Sequence, residues 1–359
     1  MANDEVKRDY TNSLLKELTL IREAYFPNGD RPRLDTIFFG GGTPTVLPLL
    51  QWEKIAAFLH DQFSVDQKTE WTVEANPGSV NDSVLGELKQ FGVNRLSFGA
   101  QTFNEILLLA IGRLHSVRDI EKSVELAMQA GFGRISLDLM FGLPDQTLTD
   151  VRESVRRAVG FGLGHISVYG LKVEDGTPFA KWQQSGHLHL PEEDAEAAMY
   201  EEVRQLLQEA GLMQYEISNF ARAGEEARHN LTYWHNEPYL AAGAGAHGYV
   251  HSRRYENVKS LLRYQQMLDG GERPLEALSA VTAKEAMEDS VILGLRLREG
   301  VNKSAFLAHH GVALDEAFGD VILPLIERGL LQEDEDRIVI PSRYYSLANE
   351  IMVRFLGNS

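Results

Sequence analysis

The stretch LDTIFFGGGTP, residues 34–44, decides how this chain is read: a short β-branched and aromatic run is stopped by three glycines and a proline. Units of the same kind follow at a regular beat. The helix-patterned LLQWEKIAAFLHDQF (49–63) leads to the strand WTVEANP (71–77), and the helix VNDSVLGELKQFG (80–92) leads to NRLSFGAQ (94–101). The helix SVRDIEKSVELAMQAG (116–131) precedes the strand GRISLDLMFGLP (133–144), and LTDVRESVRRAVGFG (148–162) precedes HISVYGLKV (165–173). Upstream, Tyr10, Leu14, Leu18, Ile21 and Tyr25 recur at helical spacing, so an amphipathic helix opens the chain. Strands alternating with helices imply right-handed crossovers and a parallel sheet.

A barrel and a flat doubly wound sheet both satisfy that alternation, and the strand ends separate them. Gly40 to Thr43, Glu74 with Asn76, Gln101, Asp138, and Tyr169 to Lys172 each follow an apolar run. A flat sheet concentrates its site at one switch point, whereas a barrel builds it from many strand tips. Polar groups on five successive strands therefore predict a partial (β/α)6 barrel, α/β in class, that lacks its first strand. Residues 1–180 are assigned to this partial barrel. Residues 181–281 read as an extension containing a helix (Ala195, Met199, Val203, Leu206), the strand-like YEISNF, and the Gly- and His-rich ARHNLTYWHNEPYLAAGAGAHGYV (227–250). Residues 282–359 are mostly helical and end in the β-like DRIVIP, resembling a winged-helix module in an α+β C-terminal part.

Composition bounds the function. The 359 residues carry 35 basic and 52 acidic side chains, a formal net charge of −17, which argues against nucleic acid or anionic membrane as a partner. The acidic run Glu333 to Asp336 argues against DNA contact by the last module. No apolar run approaches the roughly 18 residues of a membrane span, and the first residues have no secretory pattern, so a soluble, cytoplasmic protein is expected. The cysteine count is zero, which removes disulfides, thiolate nucleophiles, and cysteine-ligated zinc or iron–sulfur sites.

Taken singly, the glycine run reads equally well as a tight turn, and Glu74 or Asp138 as a structurally paired carboxylate. The glycine run is not a phosphate-binding loop, since no Gly-Lys-Ser/Thr follows. As a set, FFGGGTP, EANP, GAQTF, GRLH and LDLMFGLPDQT resemble the radical S-adenosylmethionine (SAM) proteins of the oxygen-independent coproporphyrinogen dehydrogenase type. YEISNFAR, RHNLTYW and GAGAHG are similar more particularly to the haem-chaperone branch called HemW, and the resemblance runs from about Asp9 to the C-terminus. It implies Gly41, Gly42, Thr43 and Glu74 as contacts of the methionine part of SAM, with Gln101, Arg113 and Asp138 as further contacts. The chemistry is consistent: a zwitterionic end needs an acid for its ammonium and an Arg or amides for its carboxylate, and a ribose needs Asp- or Gln-type groups.

The family also implies a [4Fe–4S] cluster held by three cysteines in a C-x-x-x-C-x-x-C loop. This chain, beginning at the helix that normally follows the loop, has none. Either the loop belongs to a longer form of the protein or it has been lost naturally; the intact SAM-contact residues favour the former, and the chain as given is not expected to cleave SAM. The match to H-N-x-x-Y implies His229, and with it Tyr233, as haem-associated residues, imidazole and phenolate both being axial ligands of haem iron. The implied function is a haem chaperone that binds haem or a porphyrin and hands it to an acceptor protein, transiently bound membrane proteins included. The alternative is a radical SAM coproporphyrinogen III oxidase, and a third reading is an aldolase-like barrel using Lys172.

Overall fold

The computed structural model describes residues 3–357. In chain order the elements are α1 (Asp4–Tyr25), β1 (Thr36–Phe39), α2 (Leu49–Gln62), β2 (Glu70–Ala75), α3 (Asp82–Phe91), β3 (Arg95–Gln101), α4 (Glu105–Ala110) and α5 (Val117–Gln129). Then come β4 (Arg134–Phe141), α6 (Leu148–Gly160), β5 (His165–Gly170), α7 (Pro178–Gln184), α8 (Glu193–Glu209), β6 (Met213–Glu216), β7 (Asn219–Ala221) and α9 (Arg228–Trp234). The rest is β8 (His247–Val250), β9 (Arg253–Asn257), α10 (Leu261–Asp269), β10 (Leu275–Ala280), α11 (Ala283–Gly294), β11 (Val301–Asn302), α12 (Lys303–His310), α13 (Leu314–Glu327), β12 (Gln332–Asp334), β13 (Arg337–Val339) and α14 (Ala348–Met352).

The seven-stranded sheet runs β1-β2-β3-β4-β5-β7-β6, so β1 and β6 are its edges and it does not close. The ladder from β2 to β5 is parallel, and the β6–β7 hairpin adds antiparallel to β5. The expected α/β half-barrel is therefore present. Contacts divide the described residues into two compact units, one of residues 38–46 and 71–226, the other of residues 3–37, 47–70 and 227–357.

In the first unit the strands alternate with period two, and one face is apolar. Trp71, Val73 and Ala75, Leu96, Phe98 and Ala100, Ile135, Leu137, Leu139 and Phe141, and Ile166 and Val168 are all buried. Helices α5, α6 and α8 pack on the strands. Their ends are set by sequence: Ser116 with Asp119 and Thr147 with Asp150 form capping boxes that start α5 and α6. The opposite face is mostly polar, with Met140 as an exception on β4. The register puts Glu74 beside Ser97, Ser97 beside Ser136, Gly99 beside Asp138, and Asp138 beside Ser167. Parallel sheets are normally apolar on both faces, so a polar face marks a surface kept for something other than packing.

In the other unit α1 packs on α2 and α10. Its buried stripe of Leu14 and Ile21 is interrupted by Glu17. That carboxylate accepts hydrogen bonds from Tyr264 Oη at 2.5 Å, Asn257 Nδ2 at 2.6 Å and the Gly243 amide at 2.8 Å, while burial lifts it above the usual carboxylate range. Two antiparallel three-stranded sheets, β10-β9-β8 and β11-β13-β12, follow. Among the described residues no helix is long and apolar enough to cross a membrane.

At the start of β5, His165 is buried with Nδ1 at 2.7 Å from Ser136 Oγ and Nε2 at 2.9 Å from Tyr215 Oη. Burial, reinforced by Arg95 and Arg134, holds its pKa well below the ordinary 6.5. On acidification the unfolded chain takes up this proton first, so stability is lost as pH falls below the ordinary imidazole range, with a slope of up to about 1.4 kcal/mol per pH unit. Urea unfolding of His165→Gln should lose less stability between pH 7 and pH 5 than the parent chain; an equal loss in both would remove His165 as the cause.

Candidate functional site

The loop after β1 is built around the carboxylate of Glu74. The Gly41 amide donates to Glu74 Oε2 at 3.1 Å, and Asn76 Nδ2 donates to Thr43 Oγ1 at 2.6 Å, joining the glycine run to the end of the next strand. Gly41 and Gly42 take φ of 78° and 145°, which leaves backbone open to a ligand. At Gly40 a Cβ would stand 2.8 Å from the Glu74 carboxyl and 2.5 Å from the Phe38 ring, so only glycine lets that acid lie over the loop.

Asp138 sits within β4 rather than at its tip, with three strand residues still to come. Ser97 Oγ donates to both of its oxygens at 3.1 Å, and Ser167 donates from the other side. Burial nevertheless outweighs both donors and raises its pKa. Glu74 is raised as well, first by burial and then by the charge on Asp138, against the lowering effect of the Gly41 amide. Two acids that feel each other on one polar face suit a cation. Tyr169 faces the same acids, and its hydroxyl is held neutral by burial and by Asp138.

Gln101 reaches this face by an unusual route. The register slips by one residue between Gly99 and Gln101, and Gln101 adopts φ of 59°. The turn folds its amide back over Gly99, where an added Cβ would meet Nε2 at 2.7 Å, while its Oε1 is buried with no hydrogen-bond partner. Register and contacts thus bring Glu74, Gln101 and Asp138 to one face of one sheet. Arg113 follows α4; it is half-buried and burial lowers its pKa. Sequence reasoning missed Ser97 and Ser167; the available signal was alternation within their own strands, Ser97 with Arg95 and Gly99, and Ser167 with His165 and Tyr169. Lys172 is 83% exposed and paired with Glu174 at 3.2 Å, leaving no desolvated pocket for a Schiff-base lysine.

The second candidate lies in the other unit. RHNLTYW forms the helix α9, so His229 and Tyr233 fall one turn apart on one face. His229 Nε2 lies 2.7 Å from Tyr233 Oη, and Nδ1 lies 2.8 Å from Thr36 Oγ1. Glu70 accepts from the backbone amides of Arg228 and His229 at 3.2 and 3.0 Å, capping the helix start. Burial pulls the His229 pKa down to about 4, so the ring is neutral at pH 7. Tyr239 packs edge-on against Tyr233 at 4.6 Å.

The Radical SAM superfamily pattern matches residues 15–158, and the HemN C-terminal domain pattern matches residues 281–343. The haem chaperone HemW of Bacillus subtilis (strain 168) is 42% identical over 352 residues, 97% of this chain and 91% of that protein. The chain belongs to the HemW haem-chaperone family. HemW of Escherichia coli (strain K12) is 33% identical over 90% of this chain and 82% of its own length. The solved structure described as coproporphyrinogen III oxidase (HemN) from Escherichia coli, a radical SAM enzyme, superposes with a TM-score of 0.84 at 22% identity, over 99% of this chain and 84% of that one, and shows a shared fold.

The donor set decides which of the cofactors implied by this family the residues fit. The glycine loop with Glu74, the polar face with Asp138, and the orphaned Gln101 oxygen fit a zwitterionic nucleoside such as SAM. The neutral, doubly held imidazole of His229 fits a haem-iron donor. A cysteine-ligated cluster does not fit, because the chain has no thiolate.

Gly40→Ala forces the Glu74 carboxyl and the Phe38 ring apart and is expected to cost about 1–3 kcal/mol in urea unfolding. Gly86→Ala, in open space on α3, should be neutral or stabilise by up to about 1 kcal/mol. Equal behaviour of the two variants would contradict the packing described for the glycine loop.

Proposed function

We propose that this HemW-family chain binds haem through α9 and passes it to an acceptor, while SAM held on the polar face of the sheet modulates that transfer. The observation that carries the reading is the setting of His229. A metal-binding histidine has its second nitrogen fixed by a hydrogen-bond partner, which sets ring orientation and tautomer. Thr36 Oγ1 is placed to do this at Nδ1, and the low pKa keeps the other lone pair unprotonated at neutral pH. The Tyr233 hydroxyl lies 2.7 Å from that nitrogen. His229 is therefore the proposed iron donor, and Tyr233 the group that must turn aside. Haem, when bound, would supply an iron able to take a nitrogen donor; the chain would supply the imidazole of His229 and the aromatic edge of Tyr239.

Haemin titration should give a saturable Soret band that is lost or shifted in His229→Ala. Tyr233→Phe should retain it, with affinity unchanged or raised several-fold, because the competing hydroxyl is gone. Loss of the band in Tyr233→Phe with retention in His229→Ala would move the donor to the phenolate and overturn this assignment.

For SAM, the reading places Gly41, Gly42, Thr43 and Glu74 around the methionine part, Asp138 and Gln101 toward the ribose, and Arg113 at the carboxylate. The support is electrostatic: Glu74 and Asp138 are both raised above ordinary carboxylates, and SAM is a cation at sulfur and at its ammonium. Binding a cation favours the ionised acids. Below their raised range, uptake of SAM therefore expels protons, and affinity falls as pH is lowered through that range. Calorimetry in buffers of different ionisation enthalpy should record this release. Glu74→Gln should weaken SAM by roughly 10- to 100-fold, the worth of a charge-assisted hydrogen bond, and flatten the pH dependence. A pH-independent affinity in the parent chain would count against both acids. The proposal stops at binding, since the chain supplies no thiolate to a cluster.

A further inference from the structure

We infer that Arg254 anchors a carboxylate of the macrocycle: with haem iron on His229, a propionate lies along the row Tyr239, Tyr249, Arg254 and pairs with that guanidinium. The inference deepens the haem reading and rests on it.

The chemistry of the ligand sets the requirement. A haem propionate is an anionic arm on the rim of a flat apolar disc, so its partner is a cation held out at the rim rather than beside the iron. A chain of formal net charge −17 repels such an anion unless a specific cation meets it.

The backbone lays out a row that meets this requirement. Tyr239 and Tyr249 exchange hydrogen bonds, the Tyr239 amide to the Tyr249 carbonyl at 2.7 Å and the reverse at 3.0 Å, so the two residues are directly opposed. Tyr249 is the register partner of Arg254 across the β8–β9 hairpin, and Arg254 is that of Ser279 on β10. Opposed residues of antiparallel strands project from one face, so these four stand in line across the sheet. The other face is taken up by packing: an added Cβ at Gly248 would strike the Tyr255 ring, and Tyr255 Oη donates to the Ala241 carbonyl at 2.9 Å. At its near end the line meets the proposed iron donor, since the Tyr239 ring packs on Tyr233 at 4.6 Å and Tyr233 on His229 at 4.9 Å. Arg254 starts two strand spacings beyond Tyr239, roughly 10 Å.

This row is open to a ligand. The Arg254 side chain is 50% exposed, Tyr239 and Tyr249 are half-buried, and α9 has no buried residue. Half-open aromatic rings suit an apolar disc. Arg254 is also aimed: Nη2 pairs with Asp289, while Nε and Nη1 make no hydrogen bond among the described residues. A guanidinium carries five donors in a planar fork, so one carboxylate can orient it and leave an edge for a second. The next residue back, Arg253, is opposed to Val250 and Ala280, and alternation turns it to the other face.

The test uses the full chain, with haemin and haemin dimethyl ester (identical at the iron, both propionates neutralised) titrated in one detergent buffer and followed at the Soret band. The parent chain should prefer haemin by roughly 5- to 20-fold, the worth of a half-exposed, hydrogen-bonded ion pair. Arg254→Ala should weaken haemin by that factor and leave the ester unchanged, with the band at its parent position because His229 is untouched. Arg254→Lys keeps the charge without the fork and should keep part of the preference. Asp289→Asn removes the competing carboxylate and should widen it. Arg253→Ala removes the same charge from the other face and should leave it as it was. Thermal unfolding of each variant identifies misfolding, and a misfolded Arg254→Ala leaves the decision to Arg254→Lys, which should still narrow the preference. Equal binding of both forms by the parent, a preference that survives in folded Arg254→Ala, a shifted band there, or an equal loss in Arg253→Ala overturns the anchor while leaving haem binding intact. Failure of the parent chain to bind haemin at all overturns the haem reading and the anchor with it.

Discussion

The polar face of the parallel sheet is the constraint on which the rest depends. Ser167 stands in register with Asp138 on the next strand, Ser97 reaches it from the other side, two residues before its register partner Gly99, and both serines hydrogen-bond to the carboxylate, where a closed barrel would stack valines and leucines. Such a face cannot be packed by apolar side chains without stranding its acceptors, at a cost of several kcal/mol for a charged group. The sheet accordingly stays open, with β1 and β6 as edges, and its apolar content is spent on the opposite face under α5, α6 and α8. An open sheet with a polar, acidic face is a receptacle first and a core second.

That arrangement also explains why the acids are raised. Asp138 already receives donors from two serines, yet burial dominates, and its charge in turn helps to raise Glu74. Arg95 offsets the charge of Asp138 in part, and a further cation would favour the ionised form of both acids. The strain is distributed: the glycine loop gives up side chains so that Glu74 can lie over it, and Gln101 takes a conformation that residues other than glycine seldom adopt. Local cost concentrated on one face, with the remainder of the sheet well packed, is the usual distribution around a functional surface.

Most of the architecture was legible from short apolar runs ending in polar or glycine residues, because each run had one buried face and one tip. The parallel ladder from β2 to β5 was expected from that alternation; the antiparallel β6–β7 hairpin beside β5 was not. Other features were not legible for physical reasons. The tip rule misplaced Asp138, which is an inward residue of a strand that continues to Phe141; alternation over Ser136, Asp138 and Met140 on one side and Leu137 and Leu139 on the other carries that information. RHNLTYW has too few residues and too many β-branched and aromatic neighbours to announce a helix, and it becomes one because Glu70 accepts its first amides. YEISNF reads as one strand but is a hairpin, since Glu216 accepts from the Ser218 amide and the Asn219 side chain and reverses the chain between them. Each miss turns on a partner distant in sequence or on a short turn, neither of which periodicity can carry.

The helical form of α9 changes what the histidine motif can mean. Spacing by four places the Tyr233 hydroxyl on Nε2 of His229, so the imidazole that is proposed to meet iron is also the one engaged by a neighbouring hydroxyl. A typical hydrogen bond of this kind contributes about 0.5–1.5 kcal/mol, which lowers the affinity of any competing ligand by roughly two- to tenfold. A storage site gains nothing from such a competitor. A carrier does, because the hydroxyl returns to the nitrogen as the ligand departs and stabilises the emptied state, while Thr36 keeps the ring aimed for the next cycle. On the proposed reading the tyrosine of the motif sets the ease of release, and the histidine sets the capacity to bind.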